Sequence, residues 1–95
     1  MDILEKTLDY LSNEFTDYRH FIARQTAAPS IPSRKDELAL IDRNLKTTLD
    51  RGMGVVMFVQ SLGVAYDDIK APYEEFKDAL YKMTWKAKET IGNVL

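Results

Sequence analysis

The first part of the chain places large apolar residues at alternating intervals of four and three positions. These residues are Leu4, Leu8, Leu11, Phe15, Tyr18 and Ile22. Because this spacing keeps one stripe of a helix turned toward a neighbour, it predicts a helix from about Asp2 to Arg24. Pro29 and Pro32 then remove amide donors and disfavour helix in the residues before them, which predicts a linker over residues 25–33.

A second apolar stripe begins after Ser33, whose side chain can cap a helix, with Asp36 in the capping-box position. It consists of Leu38, Ile41, Leu45, Leu49, Met53 and Val56. The stripe keeps its phase across Gly52 and Gly54, which favours one continuous helix to about Leu62. Each glycine costs about 1 kcal/mol in a helix interior, and Gly52 also fits a C-cap, so a break at these glycines is the alternative.

The third apolar stripe is the most regular of the three. It consists of Ile69, Tyr73, Phe76, Leu80, Met83, Ala87, Ile91 and Val94. It predicts a helix over residues 69–94. Gly63 is expected to end the preceding helix, and Asp67 and Asp68 are expected to cap the new one. Pro72 then falls in or near the first turn, where a missing amide is tolerated.

Together the three stripes predict an all-α fold. Long helices with short connections favour an antiparallel up-down-up three-helix bundle. If the middle helix breaks at Gly52 and Gly54, the same chain becomes a four-helix bundle. A length of 95 residues suits one domain, so residues 1–95 are expected to form a single helical bundle.

Charge and composition narrow the chemistry that this bundle can carry. The 13 basic and 15 acidic residues nearly balance, which gives no overall attraction to nucleic acid or to an anionic membrane. Lysines surround Trp85, but Asp78 and Glu89 flank that group as well. The absence of cysteine excludes disulfides and cysteine-based zinc sites, and His20 alone cannot build a histidine site. We therefore expect no cofactor, no metal, no nucleic-acid partner and no membrane partner.

Two features argue against export and membrane insertion. Asp2 and Glu5 stand where a signal peptide needs basic residues. The most apolar stretch, residues 52–65, has 14 residues, whereas a membrane-spanning helix needs roughly 20. We therefore expect a cytoplasmic protein in which this stretch forms buried core.

Two pairs of carboxylates have a spacing of three residues within a helix, namely Glu14 with Asp17 and Glu75 with Asp78. This spacing resembles that of the metal-binding helices of MazG-like nucleotide pyrophosphohydrolases. The resemblance implies a small, all-helical, metal-dependent enzyme, and it is the alternative hypothesis. At about 100° per residue, however, Glu75 and Asp78 lie away from the centre of their stripe. Solvated carboxylates that pair with nearby lysine or arginine are therefore the preferred interpretation.

A second enzyme class can be tested on the middle helix. Asp42, Leu45, Leu49 and Arg51 resemble part of the first-helix pattern of AroQ-type chorismate mutases. That family clamps a dicarboxylate with several arginines and lysines, and this chain offers no such cluster of cations in register. We therefore exclude this activity.

The surface pattern favours a protein-binding role. Tyr81 and Trp85 lie about 120° and 160° from the stripe of the third helix, and such aromatic residues are enriched at the centres of interfaces. Tyr10 and Phe21, with Ile3, form a sparse second stripe on the first helix, which a wide core-facing side would also explain. The sequence thus predicts a small non-enzymatic helical interaction protein: an adaptor, inhibitor, immunity factor or assembly subunit of bacterial or phage type. Its partner would be another protein or a second copy in a homodimer.

Overall fold

The structure is a computed structural model that describes residues 2–27 and 34–94. These ranges contain three helices and no strand: α1 (Ile3–Ala27), α2 (Arg34–Ser61) and α3 (Tyr66–Val94). Every helix packs against the other two, and the molecule is a rod of 49 × 19 × 17 Å. The predicted all-α three-helix bundle is confirmed.

Contacts between helices define the direction of each one. Glu14 of α1 forms an ion pair with Arg51 of α2, with 3.6 Å between the guanidinium nitrogen and the carboxylate oxygen. Nearer the start of α1, Ile3 shares a groove with Leu62, the first residue after α2, so these helices are antiparallel. Asp42 of α2 pairs with Lys88 of α3, whereas Gly52 lies against the earlier residue Phe76, so α2 and α3 are also antiparallel. The order is therefore up-down-up.

The middle helix runs without a break through both glycines, as the unbroken phase of its stripe predicts. Gly52 is buried against Phe76, and a Cβ atom at this position would lie 2.5 Å from the ring carbon Cε1. Gly54 is exposed, and no heavy atom would lie within 4 Å of an added Cβ. The first glycine thus permits close packing of α2 on α3, and the second has no such role within the chain.

A tight turn ends α2 at the predicted glycine. Gly63 has φ 101°, and its amide donates to the carbonyl of Gln60 at 3.0 Å. The amide of Val64 donates to the carbonyl of Val59 at 3.2 Å. These two bonds form a Schellman motif, which satisfies carbonyls that a helix end would otherwise leave free. Val64 packs against the core and fixes the turn to the bundle.

Several helix ends differ from the predicted ones. Asp2 caps α1 by accepting the amide of Glu5 at 2.7 Å, but α1 continues to Ala27, past the predicted end at Arg24. The predicted cap at Ser33 and both linker prolines lie outside the described residues.

The start of α3 also differs from the prediction. The helix begins at Tyr66, so Asp67 and Asp68 lie inside its first turn rather than preceding it. Pro72 is consequently the seventh residue of α3 and not part of the first turn. Its missing amide would have bonded the carbonyl of Asp68. Asp68 is exposed, so water can satisfy that carbonyl instead.

Two residues of the predicted stripes are not in the core. Leu8 is 39% exposed, and Met53 is 51% exposed. Thr7 is buried in place of Leu8, and its hydroxyl donates to the carbonyl of Ile3 at 2.8 Å. Gly52 is buried in place of Met53, because the side of α2 that meets Phe76 has no room for a side chain. At these two points the buried position is the residue before the predicted one, whereas other stripe residues are buried as predicted, namely Leu11, Tyr18 and Ile22 of α1 and Ile41 and Val56 of α2.

The half of the bundle farther from the α2–α3 turn buries polar side chains. The Tyr18 hydroxyl donates to Oγ1 of Thr84, which donates in turn to the carbonyl of Leu80 at 2.7 Å. Burial raises the pKa of Tyr18, and the bond to Thr84 opposes that change. Glu37 is 1% exposed, and neither of its carboxylate oxygens has a hydrogen-bond partner in the described part of the chain. The sequence patterns did not anticipate this buried carboxylate.

Candidate interaction surface

The second half of α2 carries apolar side chains both inside and outside the bundle. Residues 52–66 include no charged residue. Gly52, Val56 and Val59 occupy the buried side. Four large side chains on the other sides are between 51% and 62% exposed, namely Met53, Met57, Phe58 and Leu62. The prediction that residues 52–65 are buried core is wrong for these four, because a helix in a three-helix bundle can bury only one side.

Two of the exposed residues border α1. Phe58 follows Arg51 by seven residues, or about two turns, so it lies on the same side of α2 as the ion pair between Arg51 and Glu14. Leu62 follows one turn later. We refer to Phe58 and Leu62 as the α1-side edge.

The other two exposed residues border α3. Met53 follows Asp42 by eleven residues, or about three turns, and Asp42 pairs with Lys88 of α3. Met57 lies one turn beyond Met53. We refer to Met53 and Met57 as the α3-side edge. Between the two edges lie Gly54 and Ser61, both exposed, so the middle of this face carries only small side chains.

A groove of about 370 Å³ separates α1 from the α1-side edge. Its apolar lining consists of Ile3, Tyr10, Val55, Phe58, Val59 and Leu62. Lys6 and Thr7 also contribute to the lining. The predicted interface residue Tyr10 is 37% exposed here, and burial together with the nearby carboxylate of Glu14 raises its pKa. The groove and the two edges of α2 form the largest group of exposed apolar side chains in the described residues, and we call it the turn-end surface.

The other predicted interface residues lie elsewhere. Trp85 and Tyr81 are 73% and 53% exposed on the outer side of α3, as their helical phase predicts. Lys82 pairs with Asp78 beside them at 2.8 Å, and this partner raises the pKa of Lys82. Phe21 is half-buried against the core, with its ring centroid 6.0 Å from that of Tyr18. The four predicted residues therefore do not share one surface, and only Tyr10 belongs to the turn-end surface.

One carboxylate of each predicted pair forms an ion pair with a cation. Glu14 pairs with Arg51, and Asp78 pairs with Lys82, while Asp17 is exposed. Glu75 borders an open cavity of about 240 Å³ between α1 and α3. Over residues 2–27 and 34–94, no three side chains of histidine, cysteine, aspartate or glutamate are grouped so that they could hold a metal ion. The predicted exposure of His20 is confirmed.

Comparisons with protein-family models, with curated proteins and with solved structures give no match to this chain. None of the helices, within the ranges that the structure describes, combines the length and the apolar character needed to cross a membrane. The chemistry of the turn-end surface is therefore the guide to function.

The exposure of Met57, Phe58 and Leu62 was not predicted, although the sequence around these residues carries a signal for it. One core-facing stripe needs an apolar residue every three or four positions. The run from Val55 to Val59 instead has five consecutive apolar residues, which cannot all face one side of a helix. An uncharged run of this kind on a helix implies an exposed apolar side.

Proposed function

We propose that this chain is a small non-enzymatic helical interaction protein that acts through contact with another protein chain. The observation that carries the proposal is the exposure of Met53, Met57 and Phe58 on the uncharged half of α2 and of Leu62 directly after it. An adaptor, an inhibitor, an immunity factor and an assembly subunit each need a stable bundle with such a surface. A cytoplasmic location belongs to the same proposal, since a chain without cysteine depends on no disulfide.

The size of the surface supports a protein partner. With about 200 Å² for a fully exposed side chain of this kind, the four fractions correspond to roughly 450 Å², which is within the range of functional patches on small proteins. Burying that area favours association by about 10 kcal/mol before the costs of association are subtracted. These side chains contribute little to the core, so the fold does not require them to be apolar.

The positions of the carboxylates favour this role over the metal-dependent enzyme. Two of the four carboxylates in the MazG-like pairs, Glu14 and Asp78, already form ion pairs with Arg51 and Lys82. A divalent ion bound at either pair would compete with these cations.

Site-specific photo-cross-linking in cells tests the proposal. A photoreactive amino acid is placed at Met57, at Trp85 and at His20, which is exposed and lies outside both surfaces. We expect a protein adduct of defined mass at position 57 that is absent at position 20 and is lost when Phe58→Lys is added. Adducts at position 85 alone would indicate that the interface lies on the outer side of α3. Absence of adducts at both positions would contradict the proposed function.

A further inference from the structure

We propose that a second copy of this chain covers the turn-end surface, so that the second halves of α2 pack against each other in a symmetric, antiparallel dimer. This inference rests on the proposed function and specifies the partner. The surface has no charged residue on α2 between Gly52 and Ser61, so an apolar surface of the same kind is a suitable counterpart.

The exposed area is sufficient for a dimer. Adding Ile3 and Tyr10 of the groove to the four residues of α2 gives roughly 600 Å² of exposed side chain per copy. Two copies would then bury roughly 1,200 Å², which is the lower end of the range for stable protein interfaces. Tyr81 and Trp85 alone offer about half of the area that the four α2 residues expose.

The exposed side chains of α2 can pack against the same side chains of a second copy. When two antiparallel helices are related by a two-fold axis at right angles to them, like edges meet. The α1-side edge would then pack against the partner's α1-side edge, and the methionines of the α3-side edge against the partner's methionines. With the axis between Met57 and Phe58, Gly54 lies opposite the partner's Ser61. Small residues at that point let the two helices approach closely.

Charge selects the antiparallel direction. The outer side of the first half of α2 carries exposed Arg43 and the exposed ion pair of Lys46 with Asp50. A parallel contact along the whole of α2 would bury these charged groups against the partner, and their desolvation is unfavourable. The antiparallel contact joins only the uncharged halves, so the charged first half of each copy extends past the partner's α2–α3 turn.

Cysteine cross-linking tests the geometry, because the chain has no cysteine of its own. Gly54→Cys and Ser61→Cys are prepared as separate proteins, both at exposed positions. Under mild oxidation an equal mixture should give the disulfide between unlike chains at least about tenfold faster than either protein alone, since a disulfide needs Cα atoms within about 7 Å. A faster disulfide in Gly54→Cys alone would indicate a parallel dimer, and equal rates in all three samples would indicate random collision. Both results would overturn the proposed geometry.

Sedimentation of the purified chain tests the association itself. We expect a species of twice the 10.9 kDa chain mass at micromolar concentrations. Phe58→Lys should weaken dimerisation at least about tenfold, whereas the control Trp85→Lys should leave it unchanged, with helix content confirmed by circular dichroism. A wild-type monomer throughout, or a dimer that Trp85→Lys disrupts and Phe58→Lys does not, would overturn the inference. If the monomer still formed the position-57 adduct with a different protein in cells, the proposed function would stand without the homodimer.

Discussion

The two halves of α2 use the same side of the helix for the core but differ on the side that faces away. Residues 34–51 include nine charged residues, whereas residues 52–61 include none. The first half buries Ile41 together with the polar Glu37 and Thr48, and the second half buries only glycine and valine. Both halves hold the bundle together, so a charged outer side is compatible with this fold. The apolar outer side of the second half is therefore available for a role other than folding.

The largest expected effect comes from comparing a buried residue of the first half with an exposed residue of the second. Ile41 is fully buried, so Ile41→Ala should reduce the free energy of unfolding by about 2–5 kcal/mol. Phe58 is 61% exposed, so Phe58→Ala should change it by less than about 1 kcal/mol. Urea denaturation measures the free energy of unfolding of both variants, at a concentration low enough that the chain is monomeric. A comparable loss for the two variants would show that the outer side of the second half supports the fold.

Gly52 and Gly54 lie two positions apart in the second half of α2, and we expect them to respond differently to the same substitution. Gly52→Ala should destabilise the fold by about 1–3 kcal/mol, because the new methyl group would overlap the buried ring of Phe76. Gly54→Ala should be neutral or stabilise the helix by up to about 1 kcal/mol, since nothing lies within 4 Å of the added atom. Denaturation midpoints of the monomer provide the measurement. If both substitutions changed the free energy of unfolding in the same direction, close packing against Phe76 would not explain the glycine at position 52.

The buried carboxylate of the first half gives the next expected effect. Glu37 has no hydrogen-bond partner among the described residues, so its burial opposes folding. Glu37→Leu should increase the free energy of unfolding by about 1 kcal/mol or more at neutral pH, even though an acidic residue in the first turn of a helix is mildly favourable. Glu89→Leu is the matched control at an exposed position and should have little effect. Destabilisation by Glu37→Leu would show that the carboxylate has a stabilising partner.

The smallest expected effect concerns the hydroxyl of Tyr18. Tyr18→Phe removes one buried hydrogen bond and should cost about 1 kcal/mol, because Thr84 keeps its own bond to Leu80. Burial raises the pKa of Tyr18 above 10.0 in the folded state, so the unfolded chain loses this proton first. The corresponding stability is present below pH 10 and is lost as the pH rises through the folded-state pKa. The wild type should therefore lose more stability between pH 9 and pH 11 than Tyr18→Phe, as measured by urea denaturation.

The helices and their order could be predicted from the sequence because they depend on local periodicity. The three stripes identified three helices, and the unchanged phase across Gly52 and Gly54 indicated a continuous α2. The same phase placed Tyr81 and Trp85 outside the core. Features that depend on how the three helices pack against one another were not predicted. Burial of Glu37 and the close contact of Gly52 with Phe76 belong to this group, because only the packed bundle determines them.

The turn-end surface was missed for a different reason. Apolar residues usually indicate a core, so the pattern from residue 52 predicts burial for the whole stretch. A three-helix bundle of this length has a limited interior, so an apolar segment with no polar side must leave some of its residues in water. The predicted interface on Tyr81 and Trp85 depends on their exposed aromatic area alone.

The Schellman motif at Gly63 affects how tightly a partner could bind. Its two hydrogen bonds and the anchored side chain of Val64 hold the last turn of α2 in its helical form. Phe58 and Leu62 are therefore presented on a backbone that is already ordered before any encounter. A partner would restrict the side-chain rotamers but would not have to order the backbone, which lowers the entropic cost of association.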